Sequence, residues 1–328
     1  MRYPAVTHAP APVPSAESWT VAIPAKDEEE RVGGCLAALD EAAARCALPV
    51  TALVLANDCT DGTARACAVA APDLRHVRLA IRSVRLPRRT AHAGGARRRA
   101  VDEALACSHA HAHDLLLTTD ADARLAPDAL AAMEAAFGHG AAVVLAQIVC
   151  VPDPYDPVPD AVLDWGTPQV LWRHRVRQLA ETIRSGDAPD PRCHDDYGGA
   201  GIAVRVGAYR ALGGFSAVPC DEDLRFVRAA DEADLPVARS SGARVEVLAR
   251  ATGRATGGMA SALAANAASL ACAAPRLVER HDLTLARLRA DPSPARVFCA
   301  APLALEPVED AIRGLDHALR RAASRVRA

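Results

Sequence analysis

The sequence predicts an α/β protein: a Rossmann-like, mostly parallel central sheet flanked by helices, with a helical C-terminal extension. Three observations carry that expectation. Short apolar runs at residues 20–23, 50–56 and 114–118 lack polar alternation, so both faces of each strand should be covered. Segments with helical spacing of apolar residues separate these runs. Polar clusters fall where the runs end, at Lys26-Asp27-Glu28, Asn57-Asp58 and Asp120-Ala-Asp122. In open parallel sheets ligands bind at those carboxyl ends.

Residues 1–17, rich in Pro and Ala, read as a disordered arm, and Pro4, Pro10, Pro12 and Pro14 interrupt any apolar leader. A first strand over 20–23 stops at Pro24. Val32, Cys35, Leu36 and Leu39 fall at i, i+3, i+4 and i+7, one face of a helix. The second strand, 50–56, ends in a turn cluster at 57–62, and a helix follows to Ala70. A third strand covers 77–81, and Gly94-Gly95 opens a helix to Leu105. The fourth strand, 114–118, runs into Asp120-Ala-Asp122. Pro127 sits in the first turn of a helix reaching Phe137, and a fifth strand covers 141–149.

Beyond residue 150 the pattern changes. Pro152, Pro154, Pro157, Pro159 and Pro168 predict a long irregular connection, a kind of segment that is often functional. A charged helix is expected over 169–184, followed by a loop rich in Asp, Pro and Gly. Residues 197–204 read as a close-packed turn entering a strand, and 208–212 as a short helix closed by Gly213-Gly214. Asp221-Glu222-Asp223 is the acidic start of another helix, and the last 70 residues read as helical.

Composition excludes several classes. The 51% hydrophobic content of this 328-residue chain excludes global disorder, and the 3% aromatic share predicts a core of Ala, Val and Leu. A net charge of −2 argues against nucleic-acid binding, which needs a basic excess; Lys26 is the only lysine. Ten cysteines without a C-x-x-C pair predict reduced thiols and a cytoplasmic setting. No stretch reads as a transmembrane segment: residues 257–274 are too small and polar, and Asn266 interrupts them.

Read from residue types alone, each motif has two readings. Asp120 and Asp122 after a buried strand either ligate a divalent cation that bridges a diphosphate, or form a polar strand end with a helix cap. Lys26 to Glu30 is a polar cluster at a ligand-binding strand end or a solvated first helical turn. Asn57 to Thr63 is a binding turn or a helix cap. Gly95 with Arg97, Arg98 and Arg99 holds phosphate near a helix start or forms a basic face. Asp223 or Glu222, folded over the sheet edge, could take a proton from an acceptor hydroxyl, or simply open a helix. His109, His111 and His113 alternate as a metal clip would, or lie in a loop before a strand.

The order of the pieces resembles the inverting glycosyltransferases of family 2, which have a GT-A fold. Val21-Ala-Ile-Pro-Ala-Lys-Asp-Glu-Glu29 resembles the family's opening motif, and Leu55-Ala-Asn-Asp-Cys-Thr-Asp-Gly-Thr63 its second. His92-Ala-Gly-Gly-Ala-Arg97 sits where the family has a glycine-led helix, and Leu117-Thr-Thr-Asp-Ala-Asp122 resembles its D-x-D strand end. Gly198 to Arg205 with Gly213-Gly-Phe215 resembles the acceptor side, and Cys220-Asp-Glu-Asp-Leu224 the segment carrying the base. The resemblance spans about residues 19–250, and Arg250 to Gly258 resembles a stretch of a subgroup.

The resemblance implies a metal-dependent transfer of sugar from a nucleotide-diphosphate donor to an acceptor hydroxyl by single displacement. It implies that Pro24, Ala25, Asp27, Glu28, Asn57, Asp58, Gly95, Arg97, Asp120 and Arg254 surround the donor. Asp120 and Asp122 would hold Mn²⁺ or Mg²⁺, with Asp223 as base and Glu222 as the second choice. It divides the chain into a donor half (18–150), an acceptor half (151–256) and a helical extension (257–328). The processive synthases' Q-x-x-R-W is absent, which implies single additions. The acceptor, whether small molecule, glycan or lipid-linked, stays open, as do homo-oligomerisation and peripheral membrane contact. The competing readings are a sugar nucleotidyltransferase, which would carry a basic glycine-rich loop after the first strand, and a non-catalytic nucleotide-sugar scaffold.

Overall fold

The computed structural model describes residues 16–190, 193–195, 197–253, 257–298 and 301–326. The expected disordered arm therefore falls outside the described residues save for its last two. The chain begins β1 (Trp19–Ala25), α1 (Val32–Ala43), β2 (Val50–Asn57), α2 (Thr63–Ala70), β3 (Val77–Val84) and α3 (Ala93–Ser108). It continues β4 (Leu115–Thr118), β5 (Ala123–Leu125), α4 (Ala129–Gly138), β6 (Val143–Pro152) and α5 (Asp160–Ser185). Then come β7 (Ile202–Arg205), α6 (Val206–Ala211), α7 (Glu222–Glu232) and β8 (Val237–Ala249). The last part holds α8 (Met259–Ala271), β9 (Leu277–Glu279), α9 (His281–Ala290), α10 (Ala295–Phe298), β10 (Leu305–Pro307) and α11 (Val308–Val326).

Eight strands form one sheet in the order β3-β2-β1-β4-β7-β6-β8-β5. β3, β2, β1 and β4 run parallel, as the uniformly apolar runs predict. The chain lays β2 and β3 on one side of β1 and then crosses to place β4 on the other. That reversal makes the carboxyl ends of β1 and β4 a topological switch point, the crevice where such sheets bind ligands. β7 is antiparallel to both β4 and β6, so its N-terminal end comes to the same edge. β8 runs parallel to β6, and the three-residue β5 closes the sheet against β8.

Two apolar layers cover the sheet. On one face Val32, Leu36 and Leu39 of α1 and Leu130, Met133 and Phe137 of α4 join Trp19, Val21 and Ile23 of β1. On the other, Val101 and Leu105 of α3 and Phe226 and Val227 of α7 meet Ala22, Leu116 and Ile202. Each large side chain removed from water in these layers stabilises the fold by roughly 1.5–3 kcal/mol. Polar staples fix the layers. Glu134 accepts from the Trp19 indole and from the Ala47 and Leu48 amides. The Asp114 carboxylate accepts from the amides of Glu17, Ser18 and His111, so Asp114 anchors the start of β4 and does not pair within it.

The second half differs from its expectation in three respects. Residues 150–168 are not one irregular stretch: β6 runs to Pro152, and α5 starts at Asp160 with Pro168 inside it. Pro159 has φ −56° and serves as the N-terminal neighbour of α5, a position where proline needs no amide hydrogen. The extension is not purely helical, since β9 and β10 pair antiparallel beside it. β8 is a strand that no apolar run signals, as is the short β5 of the first half. Residues 257–274 do hold a helix, α8. His109, His111 and His113 lie in the turn before β4, where the last two rings stack 5.6 Å apart. No metal-binding group forms there among the described residues. Among the described residues no helix is long and apolar enough to cross a membrane, and Cys35, Cys46, Cys59, Cys67, Cys107, Cys193, Cys220 and Cys272 are free thiols.

Candidate active site

The carboxyl edge is built from turns stapled to one another. β1 ends at Ala25, and Asp27 turns the chain with φ +53°. The Asp27 carboxylate accepts from the Thr60 amide at 2.6 Å, and Cys59 donates its thiol to the Ala25 carbonyl. The Glu28 amide donates to Thr63 Oγ1, and the Glu29 carboxylate accepts from Gly62. The turns after β1 and β2 thus share one rigid rim, which carries Pro24, Ala25, Asp27 and buried Asn57. Asp58, also at positive φ, faces β3 instead: its carboxylate accepts from Leu86 N. Ligand atoms of Asp27, Cys59 and Asp61 lie within 4.8 Å of one another. Thr60 and Thr63 already occupy the two acids there, so they act as turn staples.

Past β4, Asp120 and Asp122 each meet an arginine. Arg97 reaches from α3 and is buried. Its Nε donates to Glu222 Oε1 at 2.8 Å and its Nη2 to Asp120 Oδ1 at 3.0 Å. Its Nη1 donates to Thr118 Oγ1 and to the Gly199 carbonyl. Every nitrogen of this guanidinium is engaged by protein, so Arg97 is not open to a phosphate as the sequence reading supposed. Gly95 also differs from that reading: a Cβ there would sit 2.1 Å from the Thr90 carbonyl oxygen, so the glycine serves close packing. Gly199 is required for a similar reason, since a Cβ would meet Arg97 Nη2 at 2.2 Å.

Asp122, nearly fully buried, pairs with Arg250, the residue following β8. Arg250 Nη2 lies 2.5 Å from Asp122 Oδ2 and 3.2 Å from Glu28 Oε1, while Nη1 lies 3.2 and 3.3 Å from the two Glu28 oxygens. Arg31 approaches Glu28 from the other side at 3.9 Å and binds Asp153 at 2.7 Å. Burial, with Asp120 and Glu28 nearby, pushes the Asp122 carboxyl up to about 7 against the pull of Arg250. Glu28, Asp120, Asp122, Asp153 and Glu222 are five carboxylates sharing three guanidiniums, Arg31, Arg97 and Arg250. They form two groups, Arg97 with Asp120 and Glu222, and Arg31 and Arg250 with Glu28, Asp122 and Asp153, and in each the acids outnumber the bases.

Glu222 and Asp223 open α7, after Asp221 at φ +62°. They have separate fates. Glu222 is buried and bound to Arg97, so it positions its neighbours and is unavailable as a base. Asp223 is half-buried, and its carboxylate accepts from Gly199 N and Leu224 N, both at 2.8 Å. One Asp223 oxygen is thus held by the turn before β7, whose carbonyl also binds Arg97. Arg254 lies outside the described residues. Sequence reasoning did not single out Arg250, Arg31 or Asp153 as site residues.

The model of "Glycosyl transferase family 2" matches residues 20–183, half of the chain. No curated protein matches. Among solved structures, S. aureus TarS 1-349 in complex with UDP-GlcNAc is 14% identical, with a TM-score of 0.47 over 73% of this chain and 60% of that one. The same protein in complex with UDP is 14% identical with a TM-score of 0.44, over 70% and 60%. A longer form of S. aureus TarS is 14% identical with a TM-score of 0.45, over 70% and 36%. The chain spans about 60% of the length of the TarS 1-349 structures it matches.

Proposed function

Because this chain belongs to glycosyl transferase family 2, we propose that it moves a sugar from a nucleotide-diphosphate donor to an acceptor hydroxyl. The observation that carries the reading is that Asp120, Asp122 and Asp223 lie on one sheet edge, Asp120 and Asp223 tied through Arg97 and Gly199 and Asp122 held by Arg250. We assign residues 18–150 to the donor, 151–256 to the acceptor and 257–328 to a helical extension. The rim of Pro24, Ala25, Asp27 and Asn57 faces the nucleotide. Asp223 takes the proton of the acceptor hydroxyl as that oxygen forms its bond to the anomeric carbon. The bond from that carbon to the diphosphate breaks on the opposite face, and the configuration inverts.

The residues fit Mn²⁺ or Mg²⁺. Asp120, Asp122 and Glu28 offer hard carboxylate oxygens, and burial, with Asp120 and Glu28 nearby, makes a negative charge on Asp122 costly without a cation. When bound, such a cation neutralises charge developing on the leaving diphosphate. Asp122 is the first residue assigned to hold it, with Asp120 beside it. Free thiols such as Cys35, Cys46, Cys59 and Cys67 suit a cytoplasmic setting.

The test is thermal shift against UDP, GDP, CDP and ADP sugars, each with Mn²⁺, Mg²⁺ or EDTA, followed by a transfer assay with the donor that responds. A metal-dependent rise in Tm with one nucleotide is expected, because that ligand binds only the folded state. Asp122→Asn should lose that rise. No shift with any donor would overturn the reading, and a shift without sugar release to any acceptor or to water would favour a scaffold.

A further inference from the structure

Arg97 and Arg250 hold the two D-x-D carboxylates in different ways. Arg97 donates to two acids, a hydroxyl and a carbonyl, so removing any one partner leaves it anchored. Arg250 has only carboxylates, and its Nη1 is held by Glu28 alone. Among the described residues Arg250 is the one cation within ion-pair distance of Asp122. The carboxylate with least support is thus covered by one guanidinium nitrogen, and that guanidinium has a second anchor.

We propose that Arg250 is a positioning residue that occupies the cation side of Asp122 in the empty enzyme and is handed to the donor phosphates when a divalent cation takes that carboxylate. This rests on the transferase reading. Arg250 would keep its Nη1 contact with Glu28, and its Nη2 would be freed from Asp122. A partly buried guanidinium stripped of one acid is costly until a new anion arrives. The diphosphate supplies that anion. Cation and donor therefore bind with positive coupling: each is weak alone, and each removes the penalty on the other. Atoms balance without chemistry, since the exchange swaps one carboxylate for one phosphate oxygen.

The experiment compares the full-length wild type with Arg250→Ala and Arg250→Gln. Mn²⁺ alone is titrated by the loss of the free-ion EPR signal. Whichever of UDP, GDP, CDP and ADP shifts the wild-type Tm is then titrated at saturating Mn²⁺. Far-UV circular dichroism checks folding, and Gln keeps most of the stem should Ala fail to fold. Both variants should bind Mn²⁺ alone about tenfold more tightly, because the competitor is gone, and bind the nucleoside diphosphate about tenfold more weakly. A merely structural role would weaken both ligands together. Mn²⁺ affinity that is equal or lower in both variants, or no Mn²⁺ binding by any of the three proteins, would overturn the proposal. Absence of nucleotide binding in the wild type would instead strike the transferase reading. The Mn²⁺ comparison, made without nucleotide, would still decide on Arg250.

Discussion

The two flanks of the carboxyl edge carry the same residue types to different ends. On the α7 flank, Arg97 meets Glu222, Asp120, Thr118 and Gly199, so each guanidinium nitrogen has a partner and two of the four partners are neutral. On the β8 flank, Arg250 and Arg31 face Glu28, Asp122 and Asp153, so acids outnumber bases. Arg97 on the first flank is fully engaged: it fixes positions, and its guanidinium has no nitrogen without a protein partner. On the second, Arg250 is held by carboxylates alone, without the hydroxyl and carbonyl that anchor Arg97. An arginine beside an acid says little until its remaining donors are counted.

That contrast can be broken by substitution. The largest effect is expected for Asp223→Asn, which is isosteric but gives up the proposed proton acceptor and one of the two oxygens that accept from Gly199 N and Leu224 N. Transfer should fall by about 10²- to 10⁴-fold with donor affinity unchanged, read from initial rates and donor titration. Turnover at the wild-type rate would remove Asp223 from its role. Arg97→Ala strands buried Glu222, and the protein should lose about 3–5 kcal/mol of stability in urea unfolding. A loss below 1 kcal/mol would mean that this flank is not the fixed frame described above.

A gentler probe is pH. Burial raises the Asp153 carboxyl, but hydrogen bonds from Arg31 and the Tyr155 amide outweigh it and hold its pKa below the ordinary value. A lowered native pKa means the unfolded chain binds the proton first. The contribution is therefore complete above about pH 4 and is lost as pH falls through the native value. The urea midpoint of Asp153→Asn should fall less steeply between about pH 5 and 3 than that of the wild type; parallel curves would deny the pair its role. The smallest effect belongs to Arg99, whose exposed pair with Glu103 is one turn away on α3. Arg99→Ala should change stability by about 0.5 kcal/mol or less and leave donor binding alone. Weakened donor binding would restore the phosphate reading of that basic run.

Much of the frame was legible. β1, β2 and β4 announce themselves because their residues are apolar in succession and buried on both faces. β8 does not, because Arg239, Ser240, Ser241, Gly242 and Arg244 interrupt it, and pairing along β6 makes it a strand. α5 hid behind its prolines, of which Pro159 precedes the helix and Pro168 is tolerated inside it. At the site, Asp120, Asp122 and Asp223 were marked by their positions at strand and helix ends. Arg250 was not, because its partner Glu28 lies 222 residues away and no local pattern encodes that meeting. The role expected of Arg97 failed for the same reason, as Glu222 lies 125 residues further on.

Those separations also set an order for synthesis. As the chain leaves the ribosome, β1, β2, β3 and β4 can pair while Glu222 and Arg250 are still to be made. Until then Arg97 has no buried acid partner from α7, and Glu28 and Asp122 stand without their shared guanidinium. The ionic lock of the edge is therefore among the last contacts to close, and its long loops carry a high entropic toll before they reward it. A truncated chain ending before β8 would keep much of its apolar core yet hold an acidic cleft that repels itself.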